Sequence, residues 1–231
     1  MKIGIVSDIH GNHYSLSAVL AEMRKLDVER LFVLGDLVGY YYQPQKVFDM
    51  LAGWSPEMIQ GNHEQMLLDS MGNPAMAADI KKRFGSGISV GLERLGAKEI
   101  GIIRTLPESR EVEVDGLLIK LCHGAPWNQN QYIYPDSPEE LFGRCLAYEA
   151  DFIFLGHSHY PFVTCRDNVV IANPGSVGQS RDKGGRASWL VLDTVNRTLA
   201  FQHTSYDVEP LLKEVMRHDP GNTYLAEVLV R

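Results

Sequence analysis

Short apolar runs that end in glycine alternate along the first third of the chain with longer stretches whose apolar residues recur every three or four positions. Lys2-Ile3-Gly4-Ile5-Val6 is short and rich in β-branched side chains, the pattern of a buried strand. Over residues 13–25 the apolar positions Leu16, Val19, Leu20 and Met23 form a helical stripe. Residues 31–34 predict a second buried strand. Residues 44–51 predict a helix entered at Pro44 and followed by Gly53, and residues 57–60 a third strand. This strand–helix–strand–helix–strand order predicts parallel pairing through right-handed crossovers. Residues 65–104 read as mainly helical, broken around Gly72-Asn73-Pro74 and Gly85-Ser86-Gly87.

Beyond residue 104 the pattern changes. Residues 110–114 alternate, Asp115-Gly116 is a hairpin turn signal, and residues 117–121 continue as a strand. A helix over about residues 138–148 precedes an apolar strand at 152–155. An antiparallel-looking series comes next at 162–165, 169–172, 188–192 and 198–203, and then a last helix at 208–217. Both strand sets are buried by an α/β fold of two packed mixed β-sheets, a β-sandwich flanked by helices in four α/β/β/α layers. No repeat, low-complexity tract or linker divides the chain, so residues 1–231 are expected to form one domain.

Composition narrows the function classes. With 45% hydrophobic residues over 231 positions, a full core is expected without disulfides. Cys122, Cys145 and Cys165 are odd in number and unpaired in spacing, which suits a reducing compartment, and a cytoplasmic location is expected. The N-terminus lacks a signal-peptide layout, and no apolar run approaches the roughly 20 residues that span a bilayer. A net charge of −7 without a basic cluster argues against stable nucleic-acid binding, but leaves small phosphorylated substrates open.

Five apolar segments end in chemistry. They run into Asp8-Ile9-His10-Gly11, Gly35-Asp36, Gly61-Asn62-His63-Glu64, Cys122-His123-Gly124 and Gly156-His157-Ser158-His159. In a strand, residues i and i+2 point the same way, so Asp8 with His10, and His157 with His159, can each face one pocket. Ligands gather at the carboxyl ends of strands in open α/β sheets, where Asp36, Asn62 and His123 add one group each. Asp, Asn and His without thiolate suit Mn²⁺, Fe or Zn²⁺. Seven candidate ligands are too many for one ion and suit two, which a bridging carboxylate would hold roughly 3.5–4 Å apart.

These motifs, in this order and at these strand ends, resemble the calcineurin-like metallophosphoesterase superfamily over about residues 1–200. Asn173-Pro174-Gly175-Ser176-Val177-Gly178 resembles a segment of its small bacterial and archaeal phosphodiesterase branch. The resemblance implies two divalent ions, Mn²⁺ first with Fe or Zn²⁺ as alternatives. One would sit on Asp8, His10, Asp36 and His159, the other on Asp36, Asn62, His123 and His157, with Asp36 bridging. It further implies a metal-bridged hydroxide attacking phosphorus in line, with His63 near the leaving oxygen as an acid or charge stabiliser. The family's Ser/Thr protein phosphatases continue the second motif with an Asp-Arg pair. This chain has Asp36-Leu37-Val38-Gly39-Tyr40 instead, which favours a phosphodiesterase, with a phosphomonoesterase or a dinucleoside polyphosphate hydrolase as alternatives. Some members of the fold are non-catalytic scaffolds with impaired metal sites, whereas all seven positions here carry ligating residue types.

Other residues have blander readings. His13, His203 and His218 read as structural, Cys122 as a buried thiol, and Glu64 as a surface group or one behind the ligands. Asn12 is equally a helix cap or a phosphate contact. Tyr40, Tyr41 and Tyr42 either wall the substrate or simply pack. Trp127, Tyr132 and Tyr134 lie by position at a site mouth, and Arg181 and Arg186 are sources of positive charge that the sequence does not place.

Overall fold

The computed structural model describes all 231 residues. Ten strands form two five-stranded mixed sheets, and nine helices accompany them. In the first sheet β1 (Lys2–Val6), β2 (Arg30–Val33) and β3 (Glu57–Met58) are parallel. They are joined through α1 (His13–Lys25) and α2 (Pro44–Ala52). β9 (Arg186–Asp193) pairs antiparallel with β1, and β10 (Thr198–Ser205) with β9, so β1 lies at the centre of the order β10-β9-β1-β2-β3. In the second sheet β4 (Ser109–Val114), β5 (Leu117–Cys122), β6 (Phe152–Phe154), β7 (Phe162–Arg166) and β8 (Val169–Asn173) take the order β4-β5-β6-β8-β7. There β5, β6 and β8 run parallel.

The period of two along each strand decides what each face packs against. Ile3, Ile5, Phe32, Leu34, Leu190 and Leu192 from the first sheet meet Leu117, Ile119, Leu121, Phe152 and Phe154 from the second in one buried cluster. The opposite positions of the first sheet, Val6, Leu31, Val33 and Trp189, pack on Leu16, Val19, Leu20 and Met23 of α1. The outer face of the second sheet, with Cys122, Ile153 and Ile171, packs on Phe142 and Cys145 of α7 (Glu139–Cys145). Two sheets back to back with helices outside are the expected layers, and no helix is long and apolar enough to cross a membrane.

Three departures from the sequence reading matter for function. The helical stretch holds four helices, α3 (Asn62–Ser70), α4 (Pro74–Phe84), α5 (Gly87–Arg94) and α6 (Ala97–Thr105). The first begins at Asn62, three residues before the expected start, because Glu64 caps its amino end by accepting the Gly61 N–H (2.8 Å). The third strand is correspondingly only two residues long. After α8 (Glu209–His218) the chain forms a further helix, α9 (Thr223–Val230), that periodicity over so short a segment does not reveal.

The α8–α9 hairpin buries Leu211, Val215, Leu225, Val228 and Leu229 against Tyr41 and Tyr42. Its turn is pinned by Asp219, whose carboxylate accepts from Ser86 N (2.9 Å), Ser86 Oγ (2.7 Å) and Tyr42 Oη (2.8 Å). Removing such an acceptor strands partly buried donors at about 1–3 kcal/mol. Asp219→Ala is expected to destabilise the protein by about that amount in urea unfolding, whereas an unchanged midpoint would show that the turn is held by its apolar contacts alone.

Candidate metal centre

All five motifs converge at the carboxyl ends of β1, β2, β3, β5 and β6, on one edge shared by both sheets. The route differs from the strand-face argument. β1 stops at Val6 and β6 at Phe154, so Asp8, His10, His157 and His159 all lie in the turns beyond. Each of these four, and Asp36, takes a left-handed backbone with φ of 55°, 51°, 66°, 62° and 54° respectively. Such conformations cost on the order of 1–3 kcal/mol each and persist only where the surroundings dictate them. Left-handed turns, rather than strand alternation, aim these side chains inward.

His10, His123 and His159 are oriented in the same way. Their Nδ1 atoms donate to the carbonyls of Val38 (3.1 Å), Leu34 (2.7 Å) and Gln179 (2.7 Å), which leaves Nε2 facing the centre. On one side His10 Nε2 and His159 Nε2 lie 3.1 Å apart, and Asp8 Oδ1 is 3.2 Å from His159 Nε2. On the other, His123 Nε2 is 2.9 Å from Asn62 Oδ1, with the His157 ring 5.0 Å away. Asp36 Oδ2 lies between the two sets, 3.6 Å from His10 Nε2 and 3.4 Å from His123 Nε2. The donor atoms of Asp8, His10 and His159, and those of Asp36, His123 and His157, lie close enough within each group to share an ion.

The donors suit cations. With both Nδ1 protons committed, His10 and His159 turn two lone pairs toward each other, and the buried Asp8 Oδ1 has no hydrogen-bond donor. A 3.1 Å separation is what two nitrogens adopt when each lies about 2.0–2.1 Å from one shared metal. Burial alone would raise the Asp8 carboxyl, but the contact with His159, helped by His123, holds it well below the usual carboxylate range. Asp36 is likewise held low against its burial, chiefly by His123 and His63. Burial keeps His10 neutral and lowers His157 to about 4.

His63 stands beside this centre. Its N–H donates to Asp36 Oδ1 (2.9 Å), and its ring lies 4.6 Å from that of His10 and 4.9 Å from that of Tyr40. Its Nδ1 faces Gly39, where φ is +91° and a side chain would overlap the ring, so this position is open only to glycine. A cleft of about 180 Å³ opens over the centre, lined by Asp36, Asn62, His63, His157 and His159 with Tyr40, Tyr132 and Arg181.

The remaining residues now have places. Tyr40 walls the cleft, whereas Tyr41 and Tyr42 pack under the hairpin. Tyr132 stacks on His157 at 3.9 Å and on Tyr134 at 5.5 Å, but Trp127 lies against Arg144, outside the cleft lining. Asn12 caps α1 through Ser15 N (3.2 Å) and donates to Gly178 O (2.9 Å). His13, His203 and His218 are not among the residues lining the cleft and lie beside Lys46, Phe201 and Tyr42. Cys122 is a buried thiol pushed up to about 12 by desolvation, unsuited to nucleophilic chemistry. Arg186 is occupied by Asp182 (3.1 Å).

Two supports went largely unread in the sequence. Glu64 is fully buried, and its carboxylate accepts from Asp36 N (2.8 Å), Leu37 N (2.8 Å), Val38 N (3.1 Å) and Gly61 N (2.8 Å). Burial and the Asp36 charge raise this carboxyl to about 7 against the pull of those donors. The signal was available: Gly61 followed three residues later by glutamate marks a helix start. The Asn173–Gly178 segment braces the other side. Asn173 Nδ2 donates to Gly156 O (2.6 Å), Ser176 Oγ to Asp8 O (2.7 Å), and Gly178 N to Asp8 O (2.9 Å).

Two outcomes are expected. Glu64→Ala leaves four buried N–H groups without an acceptor, so it should cost about 3 kcal/mol or more and abolish stoichiometric metal uptake. Metal titration beside urea unfolding checks this, and full metal occupancy in the variant would refute it. The second concerns pH. Burial pulls the His123 imidazole down, but the Asp36 charge and hydrogen bond raise it to about 10, so it is protonated at neutral pH before metal binds. A metal ligand must lose that proton, so apparent metal affinity should rise about tenfold per pH unit below pH 10. A pH-independent affinity would exclude His123 as a ligand.

With this geometry in hand, comparison with known proteins gives a consistent answer. The calcineurin-like phosphoesterase superfamily domain matches residues 1–197. An uncharacterized protein of Methanocaldococcus jannaschii is 26% identical over 234 aligned residues, covering 94% of this chain and 92% of that one. A metallophosphoesterase structure from Sphaerobacter thermophilus is 25% identical with a TM-score of 0.82, covering 99% of this chain and 98% of the other. The fold is also that of a hypothetical protein from Pyrococcus horikoshii, at 19% identity, TM-score 0.86, and coverage of 100% and 98%. The family is metal-dependent, and the chain, with a match spanning most of its length and His/Asp clusters able to bind metal, belongs to the calcineurin-like phosphoesterase superfamily.

Proposed function

We propose that this protein hydrolyses phosphoesters of small substrates, phosphodiesters by preference, at a dinuclear metal centre. One ion would be held by Asp8, His10, Asp36 and His159, the other by Asp36, Asn62, His123 and His157. The observation that carries the reading is Asp36 Oδ2, within 3.6 Å of one donor set and 3.4 Å of the other. Mn²⁺ is the favoured metal, with Fe and Zn²⁺ as alternatives, given a donor set of carboxylate, amide and imidazole. Three free cysteines fit work in the reducing cytoplasm.

Bound there, two divalent ions would draw a nucleophile from water at neutral pH and neutralise charge on the phosphoryl oxygens. The protein's own groups do the rest. Glu64 and the Asn173–Gly178 brace keep the donors fixed, so little reorganisation accompanies charge build-up. His63 has no acceptor at Nδ1, so its proton rests on Nε2, 3.9 Å from Asp36 Oδ2 and facing the cleft. Burial lowers its pKa, and it acts as a neutral N–H donor to the departing oxygen. Tyr40 and Tyr132 line the cleft and limit water there.

The diester preference rests on the run Asp36-Leu37-Val38-Gly39-Tyr40, which lacks the Asp-Arg pair with which protein phosphatases continue this motif. A phosphomonoesterase is the second reading, favoured by the guanidinium of Arg181 in the cleft wall. A scaffold role is disfavoured because every donor position is filled and oriented.

The deciding assay compares bis-p-nitrophenyl phosphate with p-nitrophenyl phosphate on chelated protein reloaded with Mn²⁺. Metal-dependent turnover of the diester above the monoester is expected, and the reverse order would select the second reading. Asp36→Asn should bind less metal and lower kcat by at least about 10³-fold. His63→Asn should retain full metal content and lower kcat by about 10²-fold, whereas loss of metal would reassign His63 as a ligand.

A further inference from the structure

The cleft wall contains a cation with no carboxylate in contact with it. Arg181 lies after β8 on the loop that leads into β9, and its side chain is half-buried. Its Nε is buried without a hydrogen-bond partner, and its one side-chain hydrogen bond is a long one, Nη2 donating to Tyr40 Oη at 3.5 Å. The adjacent carboxylate, Asp182, is turned to Arg186 (3.1 Å) instead. Arg83 also lines the cleft, but it is exposed and paired with Asp79 (3.6 Å). The cleft's own carboxylate, Asp36, is engaged by histidines and the N–H of His63.

A guanidinium partly removed from water with a donor unsatisfied is costly unless an anion meets it. Its planar fork matches the oxygens of a phosphate, and it faces the same cleft as His63, His157 and His159. We infer that Arg181 holds a non-bridging oxygen of the reacting phosphoryl group, and thereby sets how well the site accepts a dianionic phosphate. The inference rests on the phosphoesterase reading and deepens it. The cation absent from the Asp36–Tyr40 run is supplied to the same cleft by a residue about 145 positions after Asp36 in the chain.

The loop is held for this task. Gly184 N donates to the carbonyl of Arg231 (3.2 Å), and Gly184 packs so closely on the Leu229–Arg231 backbone that a side chain would not fit. The end of α9 therefore positions the Arg181 loop from outside, while Tyr40 orients the guanidinium from within. A phosphodiester presents two charged oxygens, and a monoester dianion three. Two ions can face two of these oxygens, so the third is the one that needs Arg181 most.

The test uses full-length, Mn²⁺-loaded protein, with inorganic phosphate as the binding probe in calorimetry and both nitrophenyl esters in kinetics. Arg181→Ala should keep its metal content and weaken phosphate binding at least about tenfold. It should lower kcat/KM for the monoester by about 10²-fold, with a smaller loss on the diester. Arg181→Lys should recover only part of this, because an ammonium lacks the planar fork. Arg181→Met, similar in length but uncharged, should melt at or above the wild-type temperature without phosphate and lose the stabilisation that phosphate gives.

Unchanged phosphate affinity in Arg181→Ala, with metal intact and the wild type active, would overturn the inference and leave the phosphoesterase reading standing. Lower melting temperatures in both Arg181→Ala and Arg181→Met would mark the guanidinium as a structural contact of Tyr40, and would also overturn it. Wild-type protein that takes up no metal and turns over neither ester would sink the phosphoesterase reading itself, and this inference with it.

Discussion

Every polar group of one buried residue, Asp36, is committed, and the site is arranged around it. Its carbonyl accepts the His10 N–H (2.8 Å), its own N–H goes to Glu64 (2.8 Å), and its Oδ1 takes the His63 N–H (2.9 Å). Only Oδ2 is left, and it faces imidazoles from three separate segments. A carboxylate with no exposure to water is stable only if positive charge surrounds it. That requirement ties β2 to the ends of β1, β3 and β5. It also fixes how the sheets must align, because His10 arrives from the first sheet and His123 from the second. The sandwich between them, built on Ile3, Ile5, Phe32, Leu121 and Phe154, holds that alignment rigid.

The backbone around Asp36 is strained at five of the seven candidate donor positions. Left-handed conformations at Asp8, His10, Asp36, His157 and His159 are sustained by hydrogen bonds that leave little alternative. Asp8 Oδ2 accepts from His157 N (3.0 Å), which locks one strained turn to another across the two sheets. Ser176 and Gly178 hold the Asp8 carbonyl, and Asn173 holds that of Gly156. The Asn173–Gly178 segment thus acts on turns distant in sequence and contributes no ligand of its own.

This arrangement explains why the sequence discloses some features and hides others. The strand segments and the gathering of seven candidate ligands at their ends are local patterns, and apolar runs ending in glycine make them visible. Asp8 and His10 do share a pocket, but through left-handed turns that no spacing rule describes. Glu64 is harder to read. Its carboxylate acts on Asp36, Leu37 and Val38, far away in sequence, and only an early helix start at Asn62 brings it there. Trp127 and Tyr132 occupy the same loop and look alike in sequence. The loop path sends Tyr132 onto His157 and Trp127 onto Arg144. Arg181 and Arg186 differ in the same way, since Asp182 can neutralise only one of them.

The family match ends at residue 197, yet the cleft depends on the two helices that come after it. Tyr41 donates to Leu225 O (3.2 Å), Tyr42 to Asp219 (2.8 Å), and the end of α9 receives Gly184. The candidate metal donors all lie at the strand ends, within the residues that the family domain matches. The walls need the hairpin, since it backs the Tyr40–Tyr42 loop on one side and the Arg181 loop on the other. A change at α8 or α9 would therefore move tyrosine and arginine relative to an unchanged centre. The shape of the cleft is therefore open to change from a part of the chain that supplies none of the candidate donors.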